Sequence, residues 1–401
     1  MEQRLAALAQ AGDLFRSATI GGLTVEEYQL VVSRATGLAI TTVRAATEKV
    51  ARYCTAAYDY AQFARPTAAV DHWRDPSAKN GTALWVRRGR IFGVHAAGNH
   101  PAIHADWIAA LALGYRVAVR PSRREPFTPY RLVSALRMAG FGDDQVVFLP
   151  GEYEAADEMI RGADRSMVYG GDAIVEKYAS QAVLPQGPGR SKILIGADVD
   201  WREHLDLIVD SASRGGGTGC TNTTAVFVEG DPLPLATALA ERLAALPSLP
   251  PEAEEAVLPV QPVEAARAFE RHLLDVARGT TPLLGGDGIV DELGDGSAAV
   301  RPAVFVVKSP DAAQVRAEMP FPCVWVAGWT TEAGIQPFKD TLVLTVLVSN
   351  ERLVEQLIDE PSIRNVYGGA HPTYWNAPNV PHDGYLADFL MESKGFIAGM
   401  V

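Results

Sequence analysis

The chain has 401 residues, 48% of them apolar and 21% charged. That balance excludes wholesale disorder, and the length exceeds one comfortable core and predicts two or three domains. Lys and Arg total 36 against 48 Asp and Glu, a net charge of −12, which argues against a nucleic-acid backbone or an anionic membrane as partner.

Residues 1–80 read as mostly helical, with apolar positions three and four apart, as in Tyr28, Val31, Val32 and Ala35. Met1–Gln10 has no secretory apolar core, and the longest apolar runs, Trp107–Leu113 and Leu342–Val348, are too short to span a bilayer, so a cytoplasmic protein is expected. Leu84–Val86 and Arg90–His95 read as two strands joined by a hairpin-like turn at Arg88-Gly89. Helices and short strands then alternate: helix Ala102–Leu113 ended by Gly114, strand Arg116–Arg120, helix Pro129–Ala139, strand Val146–Leu149, helix Glu154–Arg161, strand Met167–Tyr169, helix Asp172–Ala182. That order predicts a parallel sheet covered on both faces. Gln186-Gly187-Pro188-Gly189 breaks the series and is the expected domain boundary. A second α/β series follows: strand Lys192–Ile195, helix Trp201–Ser213, strand Thr224–Val228, a helix within Pro234–Pro251, a loop at Gly285–Gly296, and strands at Val300–Val307, Cys323–Ala327 and Leu342–Val348.

The three cysteines, Cys54, Cys220 and Cys323, are odd in number and widely spaced, which gives neither a disulfide framework nor a zinc knuckle. His95, His100 and His104 recur at intervals of five and four, but no carboxylate or Cys completes a ligand set, so no metal is expected. Arg116, Arg120, Arg123 and Arg124 fall within nine residues, and two of them flank Pro121-Ser122 at the carboxyl end of a strand, where phosphate would pair with guanidinium groups; a solvated basic loop is the other reading. Tyr169-Gly170-Gly171-Asp172 is either a strand-to-helix turn capped by Asp172 or an anion site on exposed N–H groups. No Gly-x-Gly-x-x-Gly follows a strand. The sharpest feature is Arg214-Gly215-Gly216-Gly217-Thr218-Gly219-Cys220-Thr221, where a helix runs through four glycines into a cysteine and then a β-branched strand. Glycines let the backbone turn freely, and a thiol among backbone N–H groups gains acidity and a hold for an oxyanion.

Taken in order, these segments resemble the aldehyde dehydrogenase superfamily, and most of all its acyl-thioester reductase branch, which includes the fatty-acyl reductase of bacterial bioluminescence. Gly98-Asn99-His100-Pro101 resembles the family's Asn-x-Pro, Val119-Arg120-Pro121-Ser122 its Lys-Pro-Ser, and Val168-Tyr169-Gly170-Gly171-Asp172 its Thr-Gly-Ser helix start. Gly217-Thr218-Gly219-Cys220 with the strand Thr224–Val228 resembles its Gly-Gln-x-Cys, and Ala317-Glu318-Met319-Pro320-Phe321-Pro322 its Glu-Ile-Phe-Gly-Pro. The resemblance implies an α/β fold of two doubly wound domains. Residues 1–190 would form a Rossmann-like cofactor domain and 191–365 a catalytic domain. The hairpin near 84–91 and the segment 366–401 would form the oligomerisation arm of a homodimer or homotetramer. It further implies Cys220 as nucleophile, Asn99 as an oxyanion donor beside the Cys220 N–H, and Arg120 and Ser122 on the adenosine side of a nicotinamide dinucleotide. Gly170, Gly171 and Asp172 would lie near its pyrophosphate, and Glu318 would hold the nicotinamide ribose.

Two departures sharpen the expectation. Hydrolytic members activate water with a Glu in a Glu-Leu-Gly-Gly segment, and Gln186 stands at that position here; an amide cannot act as a general base. An acyl-Cys220 thioester should then survive for exchange or reduction. Where NAD-preferring members commonly place a Glu after Pro-Ser, this chain has Arg123-Arg124, which favours NADP, with NADPH preferred over NADH. The expected activity is NAD(P)H-dependent reduction of an acyl thioester, delivered by coenzyme A or a phosphopantetheinyl carrier protein, to an aldehyde. The alternatives are NAD(P)-dependent oxidation of an aldehyde, reduction of an acyl phosphate, or a non-catalytic scaffold.

Overall fold

The computed structural model describes residues 1–398; the last three positions of the expected carboxyl-terminal segment lie outside the described residues. The chain divides into two compact units, Met1–Val31 with Arg44–Gly187 and Pro378–Val401, and Val32–Val43 with Pro188–Ala377.

Three helices, Glu2–Ser17, Val25–Thr36 and Ile40–Gln62, occupy the amino-terminal region. The strands that follow in the first unit are β1 (Ala69–Val70), β2 (Thr82–Arg87), β3 (Ile91–His95), β4 (Arg116–Arg120), β5 (Val146–Phe148), β6 (Arg165–Tyr169) and β7 (Val183–Gln186). The last five form one sheet in the order β5-β4-β3-β6-β7, parallel throughout. Buried on both faces, β3, β4 and β6 contribute Phe92 and Val94, Val117 and Val119, and Met167 and Val168 to the core, as a parallel sheet demands. The chain winds outward from β3 through β4 to β5 and then crosses to β6, so the sheet reverses between β3 and β6.

The expected hairpin does not form. β2 pairs in parallel with β1 and antiparallel with the strand Met391–Phe396, while β3 opens the five-stranded sheet. The link between them is drawn apart by its own hydrogen bonds. Arg88 N–H donates to the Leu390 carbonyl at 2.9 Å, and the Asp164 carboxylate accepts the N–H groups of Arg90 and Ile91 at 2.7 and 3.0 Å. The expected helix 102–113 is also divided, into a 3-10 turn Pro101–Ala105 and a helix Ile108–Leu113, because the His100 side chain accepts the Ala102 N–H and starts a separate turn. The helix at 172 ends at Lys177 rather than 182.

The second unit adds β8 (Ser191–Ile195), β9 (Thr223–Glu229), β10 (Val260–Pro262), β11 (Thr281–Leu284), β12 (Val290–Glu292), β13 (Ser297–Val300), β14 (Ala303–Val306), β15 (Cys323–Trp329), β16 (Thr341–Leu347) and β17 (Ile363–Gly368). Seven of them form a sheet in the order β11-β14-β15-β9-β8-β16-β17, parallel except for β11. Phe227, Phe305, Trp325 and Phe338 pack in one core cluster, Ile193, Ile195, Val226 and Leu239 in another. The single strand expected at Val300–Val307 is two strands in different sheets. Pro302 has no N–H for a ladder, and the Arg301 guanidinium turns away to the carbonyls of Ala244 and Leu246. The Gly/Asp-rich stretch 285–296 is not all loop, since it contains β12.

Candidate active site

In the second unit the chemistry-bearing residues gather at the amino-terminal edge of the large sheet. β8 and β9 are neighbours with Ser191 opposite Thr223, and β15 lies on the other side of β9. The segments that lead into these strands carry Gly189-Arg190, Cys220 and Glu318 respectively, so parallel register alone brings them to one edge.

The Cys220 turn is built by its glycines. Helix Leu205–Ser213 ends, and Gly215, Gly216 and Gly217 follow at φ +61°, +74° and +65°, the left-handed region that side chains resist. Gly217 also lies against the backbone of Phe321 and Pro322, where a Cβ has no room. Asn222 closes the turn: its Oδ1 accepts the Gly219 N–H at 2.8 Å, and its backbone N–H donates to the Gly219 carbonyl at 3.0 Å. The Cys220 carbonyl accepts a hydrogen bond from the Ser191 hydroxyl at 3.0 Å and rests on Gly189, where a Cβ would fall inside it. Cys220 itself is half-buried, whereas Cys54 and Cys323 are buried in the core. Burial pushes the Cys54 thiol up to about 12 and raises that of Cys323 as well, so neither supplies thiolate at neutral pH.

Glu318 is tied to the same short segment. Its carboxylate accepts the Arg190 N–H at 2.8 Å, and Arg190 sits at φ +49° with its Nε donating to the Arg316 carbonyl at 3.0 Å. Gly189–Ser191 therefore touches Cys220 through its ends and Glu318 through its middle. Next along β8, the fully buried Lys192 ammonium donates to the Lys339 carbonyl at 3.1 Å and to the Thr341 hydroxyl. Burial, with Arg316 and Arg190 nearby, lowers its pKa to about 7.

The remaining predicted residues belong to the first unit and lie at the opposite kind of edge, the carboxyl ends of its strands. Asn99 follows β3 and is half-buried; the preceding Gly98 abuts the Ser122 hydroxyl after β4. Ser122 Oγ accepts the Arg124 N–H at 3.2 Å. Arg120 is buried, donating to the Gly151 carbonyl from Nε and Nη2 at 3.2 and 2.9 Å, with its guanidinium 5.1 Å from the centre of the Tyr153 ring. Arg123 is exposed, pairs with Glu152 and lies 5.6 Å from the same ring. Gly170 packs against Ile174 and donates its N–H to the Gln186 carbonyl at 3.1 Å, while Gly171 and Asp172 are exposed at the start of the short helix Asp172–Lys177. Gln186 is the last residue of β7, backbone-paired with Tyr169.

Glu152 and Tyr153 escape sequence reasoning, and His95 enters it only as one of three spaced histidines. Tyr153 collects Arg120, Arg123 and the His95 ring, stacked at 6.4 Å and 21°. Glu152 supplies the carboxylate that Arg123 meets. His95 ends the central strand with its buried Nδ1 lacking a hydrogen-bond partner, and burial with Arg120 nearby lowers its pKa to about 4, so it is neutral at pH 7. A residue outside a motif carries no spacing signal, and Glu152 and Tyr153 lie in the acidic start of an ordinary helix. The set fits a phosphate-bearing nucleotide: an exposed guanidinium, a hydroxyl, a carboxylate able to accept ribose hydroxyls, an aromatic face and an orphaned imidazole nitrogen. His104, by contrast, is structural, its Nδ1 accepting the Trp107 indole N–H at 3.0 Å. Among the described residues no group of three or more His, Cys, Asp or Glu is placed to hold a metal, and no helix is long and apolar enough to cross a membrane.

A family model described as the aldehyde dehydrogenase family matches residues 2–336. An aldehyde-dehydrogenase-like protein of Sinorhizobium fredii is 24% identical over 128 residues, 30% of this chain and only a quarter (25%) of that protein's length. Among solved structures, the NAD-dependent aldehyde dehydrogenase from Sinorhizobium meliloti is similar with a TM-score of 0.80 and 19% identity, over 98% of this chain and 81% of the other. The glyceraldehyde-3-phosphate dehydrogenase GapN from Methanocaldococcus jannaschii, complexed with NADP, gives a TM-score of 0.80 and 16% identity over 98% and 89%. Identities this low show the fold and nothing finer.

Proposed function

Since the chain belongs to the aldehyde dehydrogenase family, we propose that it reduces an acyl thioester to an aldehyde at the expense of NAD(P)H, through an acyl-Cys220 intermediate. The observation that carries this reading over aldehyde oxidation is Gln186, an amide where hydrolytic members of the family hold their general base.

In this reading the Cys220 thiolate attacks the thioester carbonyl, a Cys220–acyl bond forms, and the bond to the substrate's own sulfur breaks, releasing coenzyme A or a carrier-protein phosphopantetheine as thiolate. The Cys220 N–H and the Asn99 side-chain amide are assigned to the oxyanion, each such donor worth roughly 3–4 kcal/mol in the transition state. Gln186 cannot take a proton from water, so the acyl-enzyme is spared hydrolysis. Nicotinamide dinucleotide, when bound, would supply the hydride that reduces the acyl group, and the Cys220–acyl bond then breaks, releasing the aldehyde and returning Cys220 as thiolate. Arg120, Ser122, Arg123, Gly170, Gly171 and Asp172 are proposed to bind it in the first unit, and Glu318 to hold the ribose of its nicotinamide half. Arg123 and Arg124 favour the 2′-phosphate and hence NADPH, although the Glu152 carboxylate on Arg123 offsets part of that preference. Assembly as a homodimer or homotetramer through the β1–β2 sheet and its partner strand Met391–Phe396 completes the proposal, checked by sedimentation.

The deciding experiment incubates the protein with NADPH or NADH and a panel of acyl thioesters, measuring aldehyde and liberated thiol. Equal release of both supports the reading. Acid formed from aldehydes with NAD(P)+, and no aldehyde from thioesters, would replace it with the oxidative one, the activity named for the Sinorhizobium meliloti enzyme.

A further inference from the structure

We propose that Asn222 is a positioning residue for the reaction at Cys220, aiming the Cys220 N–H without touching substrate. The inference rests on the reading of Cys220 as nucleophile. A trans peptide is planar, so the Gly219 carbonyl and the Cys220 N–H point in opposite directions within one rigid plate. The Asn222 backbone N–H holds that plate through the Gly219 carbonyl at 3.0 Å, while its side-chain Oδ1 fixes the adjoining Thr218–Gly219 peptide plane through the Gly219 N–H at 2.8 Å and so limits how the plate can turn about Gly219. The Ser191 hydroxyl holds the Cys220 carbonyl on the far side. The direction of the Cys220 N–H is thereby set before any ligand arrives, which is the condition for stabilising an oxyanion without reorganisation.

The anchoring end explains why the residue is an amide. Asn222 Nδ2 donates to the carbonyls of Ser211 and Arg214, both at 3.0 Å, at the end of the helix Leu205–Ser213, where carbonyls lack helical partners. One planar group must accept once and donate twice, and the residue is only 6% exposed, so water cannot replace it. Aspartate has the shape but turns an oxygen toward two carbonyls, and it adds a negative charge two residues from the thiol. At that helix end Asp210 and Arg214 already face each other at 3.9 Å, with Arg214 over the Tyr374 ring.

The test compares wild type with Asn222→Ala, Asn222→Asp and Cys220→Ala. It reads steady-state kcat and KM on acyl thioesters, and the pH dependence of iodoacetamide alkylation, with Cys220→Ala as the background from the two core thiols. Asn222→Ala is expected to lower kcat by about 10²–10³-fold, the loss typical of one misplaced oxyanion donor, with KM for NAD(P)H unchanged. Asn222→Asp is expected to move the alkylation inflection upward by about one pH unit. A kcat within twofold of wild type in Asn222→Ala overturns the inference while leaving the nucleophile reading intact. Should Asn222→Ala fail to fold, an alkylation profile of Asn222→Asp superimposable on wild type overturns it equally. Sustained turnover in Cys220→Ala removes the reading beneath it.

Discussion

The three-residue segment Gly189-Arg190-Ser191 shows how closely individual side chains are specified. Glycine at 189 is dictated by the Cys220 carbonyl resting on it, and Ser191 by the bond it donates there. Gly189→Ala should push the Cys220 turn outward by an ångström or so and lower kcat about 100-fold, measured as steady-state turnover of acyl thioesters. Gln186 makes the opposite kind of prediction, a gain. Restoring a carboxylate with Gln186→Glu should introduce release of free acid from acyl thioesters, measured as acid formed per aldehyde; a ratio unchanged from wild type would count against a base role for that position. The tight turn before Cys220 was legible from the chain alone, because a run of glycines marks backbone that bends where side chains resist, as Gly215, Gly216 and Gly217 do. Asn222, Ser191 and Gly189 were not, since each acts through backbone groups whose positions only the folded turn defines.

At the level of elements, the strands that read most clearly are β3, β4, β6, β8 and β9. Each centres on apolar residues buried in the core, so hydropathy marks them. The misread link between β2 and β3 has the opposite cause. The partner of β2 lies some three hundred residues away, where Lys394 sits opposite Leu84 and Ser393 opposite Trp85, and local pattern cannot report it. The loops after β4 and β5 show the same limit on the cofactor side. The arginine cluster was visible, but not that Arg120 would be buried against Gly151 or that Arg123 would meet Glu152. Removing the offsetting carboxylate with Glu152→Gln should raise the ratio of kcat/KM for NADPH over NADH about tenfold, equivalent to about 1.4 kcal/mol. An unchanged ratio would remove Arg123 from cofactor selection.

On the scale of the whole molecule, buried titratable groups set how stability follows pH. His95 and His104 are lowered to about 4 and about 3, chiefly by burial, so the unfolded chain takes up protons that the folded one refuses between pH 6.5 and 3. Stability should fall through that window on acidification. Lys192, lowered to about 7, acts at the other end: its cost is full below pH 7 and fades as pH rises toward the unfolded value of 10.5. Urea unfolding of wild type minus Lys192→Met should therefore show a difference that climbs in favour of wild type from pH 7 to 10, by a few kcal/mol at most. A flat difference would mean that the buried amine is not neutral in the folded protein.

The strand Met391–Phe396 has a consequence for how the protein is made. The first unit takes its opening residues from the start of the chain and this strand from near the end, and Arg88 and Tyr115 both bond to the Leu390–Met391 backbone. During synthesis, β2 must wait with one edge bare while the entire second unit is translated. A nascent chain halted at residue 377 would hold a finished second unit and an unfinished first one. That species should be selectively cut by protease near residues 82–90 and protected again when a peptide spanning 386–398 is added in trans.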